Sequence, residues 1–364
     1  MKRLLTLAIL VVALPVAVSI TGSITGSITG ARTAVPTAAA AQPTTTITLV
    51  THDAFAVSKS VLQGFTARTG VKVKVLRAGD AGSALNQMIL TKDHPVGDVF
   101  FGVDNTFLSR ALDEQVFEPY DAPGLASVPP EFQLDPTHHL IPVDHGDVCI
   151  NYDKKWFAKH DLAVPQTLDD LTKPAYDSTL VVENAATSSP GLAFVLASIA
   201  RYGEDGWQDY WTKLRDNGVK VVDDWTTAFE GDFSQGGNHG KYPLVVSYAS
   251  SPPVAVYFTK PQPSTSPIGT MLDSCFQQVE FAGVLAGTEH RAAARELVDF
   301  MLSERFQADI PLQMFVFPVR DGTPLPPVFE KFAEVAPDPL ALPPAEIGAN
   351  REKWIEEWTD TTLR

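Results

Sequence analysis

The eight histidines and two cysteines are the residue types in this chain best suited to metal or covalent chemistry, and their spacing supports neither. His138 and His139 are adjacent in the Pro-rich loop DPTHHLIP and need not face one another. With His145 of PVDHGD they lack the ligand spacing of a zinc site. Cys149 and Cys275 have no C-x-x-C partner. Cys149 lies in an apolar strand and Cys275 follows Asp273-Ser274, neither a setting that activates a thiol. Two readings of the pair stay open, a disulfide in an oxidising compartment or two small buried thiols. The run GGNHGK at Gly236–Lys241 is one residue short of a phosphate loop and has Tyr242 where a magnesium-holding Ser or Thr belongs, so it reads as a surface turn. The G-x-S-x-G, H-E-x-x-H, D-F-G and strand-borne G-x-G-x-x-G signatures are absent. The chemistry expected is binding, with no catalytic residue, metal or cofactor.

Residues that could bind must be held by regular elements. ITLVT over Thr46–Thr51 reads as a strand, followed by Val57, Val61, Leu62 and Phe65 at helical spacing up to Gly70. VKVKVL alternates as a strand, GSALNQMIL reads as a helix, and GDVFFGV is an apolar strand ending at Asp104. This β-α-β-α-β order predicts a parallel sheet covered on both faces. A second series follows Val143, with STLVVEN, VKVVDD and YPLVVSY as strands and PGLAFVLASIARYG and GWQDYWTKLRDNG as helices. CFQQVEFAGVL then reads as a strand and EHRAAARELVDFML as a helix that returns the chain to the first domain. In open α/β sheets ligands sit beyond the carboxyl ends of strands. That places His52-Asp53, Asp104-Asn105, Asp224-Trp225 and Tyr248 on the walls of a cleft. For the two aromatics the competing reading is core packing, and for Asn105, ahead of TFLSRAL, it is helix capping.

The chain has 364 residues, enough for two domains, and its 45% hydrophobic and 20% charged residues are those of an ordinary globular protein. A net charge of -15 without clustered Lys or Arg excludes nucleic acid as the expected partner. Lys2 and Arg3 precede an apolar run from Leu4 to Ile20, the pattern of an export signal, with an A-x-A processing site near Ala41. The run is short for a membrane span, so a free periplasmic or extracellular protein, a monomer, is expected.

The ordered strings THDAF, GVDN, PVDHGDVCINYDK, ATSSPGL, DDWTTAF, VVSYASSP, QVEFAG and REKWIEEW resemble the periplasmic thiamine-binding proteins of bacterial ABC importers, from about Thr46 to Trp358. The resemblance implies a two-lobed type-II periplasmic binding protein fold, α/β throughout, with crossing strands as hinge and the ligand between the lobes. The lobes it implies are residues 46–142 with 277–325, and 143–276, with 326–364 as a C-terminal helical segment. Its ligand would be thiamine, thiamine monophosphate or thiamine diphosphate, delivered to the permease subunits. Trp225 and Tyr248 stand where that family holds the cationic ring among aromatics, which attract a desolvated cation by about 2 kcal/mol or more. Asp53, Asp104 and Asn105 match positions suited to the aminopyrimidine, since carboxylates accept from amino groups. Ser188 and Ser189 open a helix whose amides suit a phosphate, as Ser83 does in the first lobe, and N-capping explains each equally well.

The chain departs from the family at two rings: His52 stands where Tyr is usual, and Phe315 of QMFVFPV where Trp is usual. Two other functions remain in view. One is a binding protein of the same fold for a polyamine or ferric iron; iron binders commonly pair tyrosines, and SYASSP has one. The other is an exported enzyme acting on a thiamine-like compound, which needs an activated nucleophile.

Overall fold

The structure is a computed structural model describing residues 45–364. The export signal and the processing site near Ala41 lie outside the described residues. Among the described residues no helix is long and apolar enough to cross a membrane.

Ten strands are found in the described residues: β1 (Thr46–Thr51), β2 (Lys72–Arg77), β3 (Val99–Asp104), β4 (Phe117–Glu118), β5 (Ile141–Asp153), β6 (Leu180–Glu183), β7 (Lys220–Val222), β8 (Leu244–Tyr248), β9 (Ile268–Leu285) and β10 (Phe317–Pro318). They form one sheet in the order β2-β1-β3-β9-β5-β8-β6-β7, with β4 beside β9 and β10 beside β5. Helices Lys59–Thr69 and Ala81–Leu90 carry the chain back between β1, β2 and β3, which therefore run parallel. β6 likewise runs parallel to β7 and β8. The expected parallel sheet needs one correction, because β9 is antiparallel to both β3 and β5, and β5 to β8. The two α/β series are joined through β5 and β9, long strands that cross between them and pair with each other, which makes the sheet mixed.

The strand period of two sorts residues between faces. Val50, Phe100 and Val103 enter one apolar cluster; Ile47, Leu49, Val99 and Phe101 enter another on the opposite side. Both faces are covered, so the strands read as nearly continuous apolar runs. Helix Ser189–Tyr202 is buried over most of its length and packs with helix Trp207–Asp216 and the C-terminal helix Pro344–Thr362, where Trp211 meets Trp358 edge to face at 5.6 Å.

Cys149 and Cys275 form a disulfide, which decides between the two readings left open by the sequence. It lies at a register shift between β5 and β9, where Leu272–Cys275 bulge opposite Cys149. The Ser274 hydroxyl pins the bulge, accepting from the Ile150 amide at 2.8 Å and donating to the Met271 carbonyl at 2.6 Å.

Candidate functional site

A cavity of about 340 Å³ opens at the carboxyl ends of the strands, walled by loops from both series. Trp225 follows β7 and opens a π-helical turn, Thr226–Asp232, a distortion frequent at functional sites. Its ring stacks on Phe229 at 5.0 Å, tilted by only 9°, and its Nε1 donates to Ser247 Oγ at 3.0 Å. One ring face is thus covered while the residue lines the cavity. Tyr248 ends β8 and packs on Gly146 of β5, where a Cβ would come 3.3 Å from its Cδ1. Burial, followed by the acidic groups nearby, raises its phenol well above its ordinary value, so it is a neutral donor. Phe315 adds a third ring, 5.9 Å from Phe258 and 6.0 Å from Tyr257. Its φ of 56° is unusual for a bulky side chain, and such strain concentrates at ligand sites.

Facing these rings is a row of carboxyls. Glu280 of β9 is in register with Asp104 of β3 and Asp144 of β5, so all three point to one side of the sheet. His52, just after β1, brings Nε2 to 3.0 Å from Glu280 Oε1. It fits because β3 bulges at Gly102, whose φ of 123° favours glycine and where a Cβ would meet His52 Cδ2 at 2.8 Å.

Burial and the charges of Asp104 and Asp80 push Glu280 up to about 8. Burial and Glu280 push Asp144 well above the carboxylate range. Asp104 is also raised by burial, against hydrogen bonds from Thr106 and Gln278. Burial lowers His52, against the pull of Asp80 and Asp144. Near neutral pH Glu280 therefore holds its proton, and an entering cation favours its release.

Asp80 is the link across the cavity. It precedes helix Ala81–Leu90, accepts from the Ala81 amide at 2.7 Å, and accepts from the Trp225 amide at 3.0 Å. Burial raises it, while the nearby Ser188 hydroxyl and the hydrogen bonds from the Trp225 and Ala81 amides oppose the rise.

Of the residues singled out in the sequence, His52, Asp53, Trp225, Tyr248 and Phe315 line this cavity. Asp104, Asn105 and Ser188 do not. Asp104 is fully buried, held by Thr106 and by Gln278 Nε2 at 2.5 Å. Asn105 fastens β9, donating to the Gln277 carbonyl at 3.0 Å and accepting from the Val279 amide at 2.9 Å. Ser188 is buried at the start of helix Ser189–Tyr202, and its neighbour Ser189 reaches the cavity instead. The Ser83 amide donates to the Thr187 carbonyl at 3.2 Å. His145 stacks between Phe132 at 4.2 Å and Phe317 at 5.5 Å, a structural position that lowers it to about 4 by burial.

Asp80, Glu230 and Glu280 line the cavity and were missed. Two left a signal: Asp80 stands two residues before the predicted helix GSALNQMIL, and Glu280 is a lone carboxyl inside the apolar strand QVEFAGVL. Glu230 left none.

Residues 94–338 match the family described as bacterial extracellular solute-binding protein. The chain is 30% identical over 323 residues to the thiamine-binding periplasmic protein of Escherichia coli K12, covering 87% of this chain and 94% of the relative. Among solved structures, a periplasmic thiamin binding protein superposes with a TM-score of 0.77 at 27% identity, over 88% of this chain and 96% of that one. Iron-bound HitA from Pseudomonas aeruginosa, at 22% identity and a TM-score of 0.68 over 87% of this chain and 99% of that one, shares the fold alone.

Proposed function

The chain belongs to the bacterial extracellular solute-binding proteins, and on that premise we propose that the solute it captures is thiamine or a thiamine phosphate. It is the periplasmic substrate-binding component of an ABC importer, with the two-lobed α/β fold of such components. The observation that carries the thiamine reading is the juxtaposition of Trp225 and Tyr248 with the acid row at Glu280 in one cavity. Rings attract the fixed positive charge of a thiazolium, and carboxyls accept from the amino group of its pyrimidine. The lobes would close about the paired strands β5 and β9, trapping the ligand, and the closed form would dock on a permease.

No catalytic step is assigned. Cys149 and Cys275 are bonded to each other, so neither thiol is available to attack a ligand. A ferric site is disfavoured as well, since iron binders of this fold commonly pair tyrosines and SYASSP has one.

The test is titration calorimetry on the mature protein after unfolding and refolding to strip ligand, with spermidine as control. Tight binding of a thiamine form, weakened at least tenfold by Trp225→Ala, supports the reading. A folded protein that binds no thiamine form, or binds spermidine more tightly, overturns it.

A further inference from the structure

Resting on the thiamine reading, we infer that Phe258 is a further ligand-binding residue, whose ring closes the mouth of the cavity over the flat ring of the bound cation. Phe258 is 68% exposed and is the one exposed aromatic ring among the described residues. It follows the short helix Pro252–Tyr257 beyond β8 and lines the same cavity as Trp225 and Tyr248. A bulky apolar ring left in water at the rim of a binding cavity gains by being covered, and a ligand in that cavity is the surface within reach.

The ring is set by both series of strands. Val254 and Ala255, on the helix that ends before it, pack on the apolar cluster of β6 and β8. Phe315, its aromatic neighbour, is flanked by Met314 and Val316, which pack in the cluster of β1 and β3. The two rings meet at 5.9 Å between centroids, tilted by 54°, within the range of a favourable aromatic pair. Phe315 is only 9% exposed and is also met edge-on by Tyr257 at 6.0 Å, so it is the fixed member of the pair and Phe258 the open one. Glu230, Val254 and Phe258 line both this cavity and an outer hollow of about 710 Å³. Phe258 thus stands on the partition between the two, and truncating it opens the ligand space outward. With the less exposed Trp225 and Tyr248 on the inner wall, a ring at the mouth gives a flat cation an aromatic surface on its outer side as well, and that attraction is strongest where water is excluded.

The experiment measures thiamine binding by calorimetry, and its release by stopped-flow fluorescence, in Phe258→Ala, Phe258→Leu and Phe258→Tyr. The fold does not depend on an exposed side chain, so the ligand-free variants are expected to unfold at the same denaturant midpoint as the unaltered protein. Thiamine affinity is expected to fall at least about fivefold in Phe258→Ala, chiefly through faster release. Phe258→Tyr keeps the ring and should stay within about twofold, whereas Phe258→Leu keeps apolar bulk without a ring and should fall at least about threefold. Unchanged affinity in Phe258→Ala overturns the inference while leaving the thiamine reading intact. Full affinity in Phe258→Leu overturns the assignment to a ring face, and a lowered unfolding midpoint beside weaker binding would make the residue structural and overturn the inference as well. If the unaltered protein binds no thiamine, that reading falls and this inference with it.

Discussion

His52 Nε2 stands 3.0 Å from Glu280 Oε1, one side chain at the end of β1 and the other on β9, with β3 between them. The contact is made where burial opposes charge on both partners, lowering the imidazole and raising the carboxyl to about 8. Glu280 is also close to the buried Asp104 and Asp144 behind the cavity wall and to Asp80 and the Tyr248 phenol on it, so a lining carboxyl is backed by further acids and one weak base. Such a wall is poised to lose a proton when a fixed positive charge arrives.

Thiamine affinity is therefore expected to rise with pH. Below about 8 the empty site carries a proton on Glu280 that a bound cation disfavours. Linkage then gives up to about a tenfold gain in affinity per pH unit between 6 and 8, levelling off above. Calorimetry in buffers of different ionisation enthalpy should detect proton release, and Glu280→Gln should flatten the profile while weakening binding. A flat profile in the unaltered protein would show that Glu280 does not titrate with the ligand.

His145 sets an acid limit on folding. Its folded value, about 4, lies below the ordinary 6.5, so the unfolded chain binds the extra proton. The stabilisation from keeping it neutral is fully present above pH 6.5 and is lost as pH falls through 4, on the order of 2–3 kcal/mol. His145→Phe, placing a ring between Phe132 and Phe317, should shift the acid unfolding midpoint to lower pH; an unmoved midpoint would locate the acid limit elsewhere.

The Cys149–Cys275 bond closes a loop of 126 positions at the point where the two crossing strands fall out of register. Replacing both cysteines by serine is expected to cost about 2–5 kcal/mol of folding stability, read from denaturant midpoints. The unaltered protein should show the same loss when reduced. If reduction leaves the midpoint where it was, the bridge contributes nothing that the β5–β9 pairing does not already supply.

The elements were legible because apolar period and length agree in them. Thr46–Thr51 was read with its observed ends, the strand ending at Asp104 with its observed last residue but a start two residues early, and helix Ser189–Tyr202 within one residue. β9 was read only from Cys275 onward, because its first half, IGTMLDS, mixes Gly, Asp and Ser like a turn and forms a strand only by pairing with β5. The site divides the same way. Trp225 and Tyr248 were found as residues following strands. The acid row was not, since Asp104, Asp144 and Glu280 meet only through a register shared by three distant strands. Asp104 and Asn105 looked like ligands because they end a strand; their hydrogen bonds run instead to Thr106, Gln278 and the backbone of β9.

Asp80 offers the sharpest separation of positioning from contact. Its carboxylate caps helix Ala81–Leu90 and also holds the Trp225 amide at 3.0 Å, so the first series of strands reaches the aromatic wall of the second through one side chain. Loss of the cap alone would cost about 0.5–2 kcal/mol of stability with no bearing on the ring. Asp80→Ala is expected to do more. Thiamine affinity should fall at least tenfold, because the Trp225 backbone is released and a lining acid is lost together. Asp80→Asn retains an acceptor and should keep the Trp225 position while losing the charge, giving an intermediate affinity. The difference in intrinsic fluorescence between each variant and the same variant carrying Trp225→Phe would follow the Trp225 ring. If both variants bind thiamine as the unaltered protein does, the Asp80–Trp225 bond is only a structural tie between the two walls.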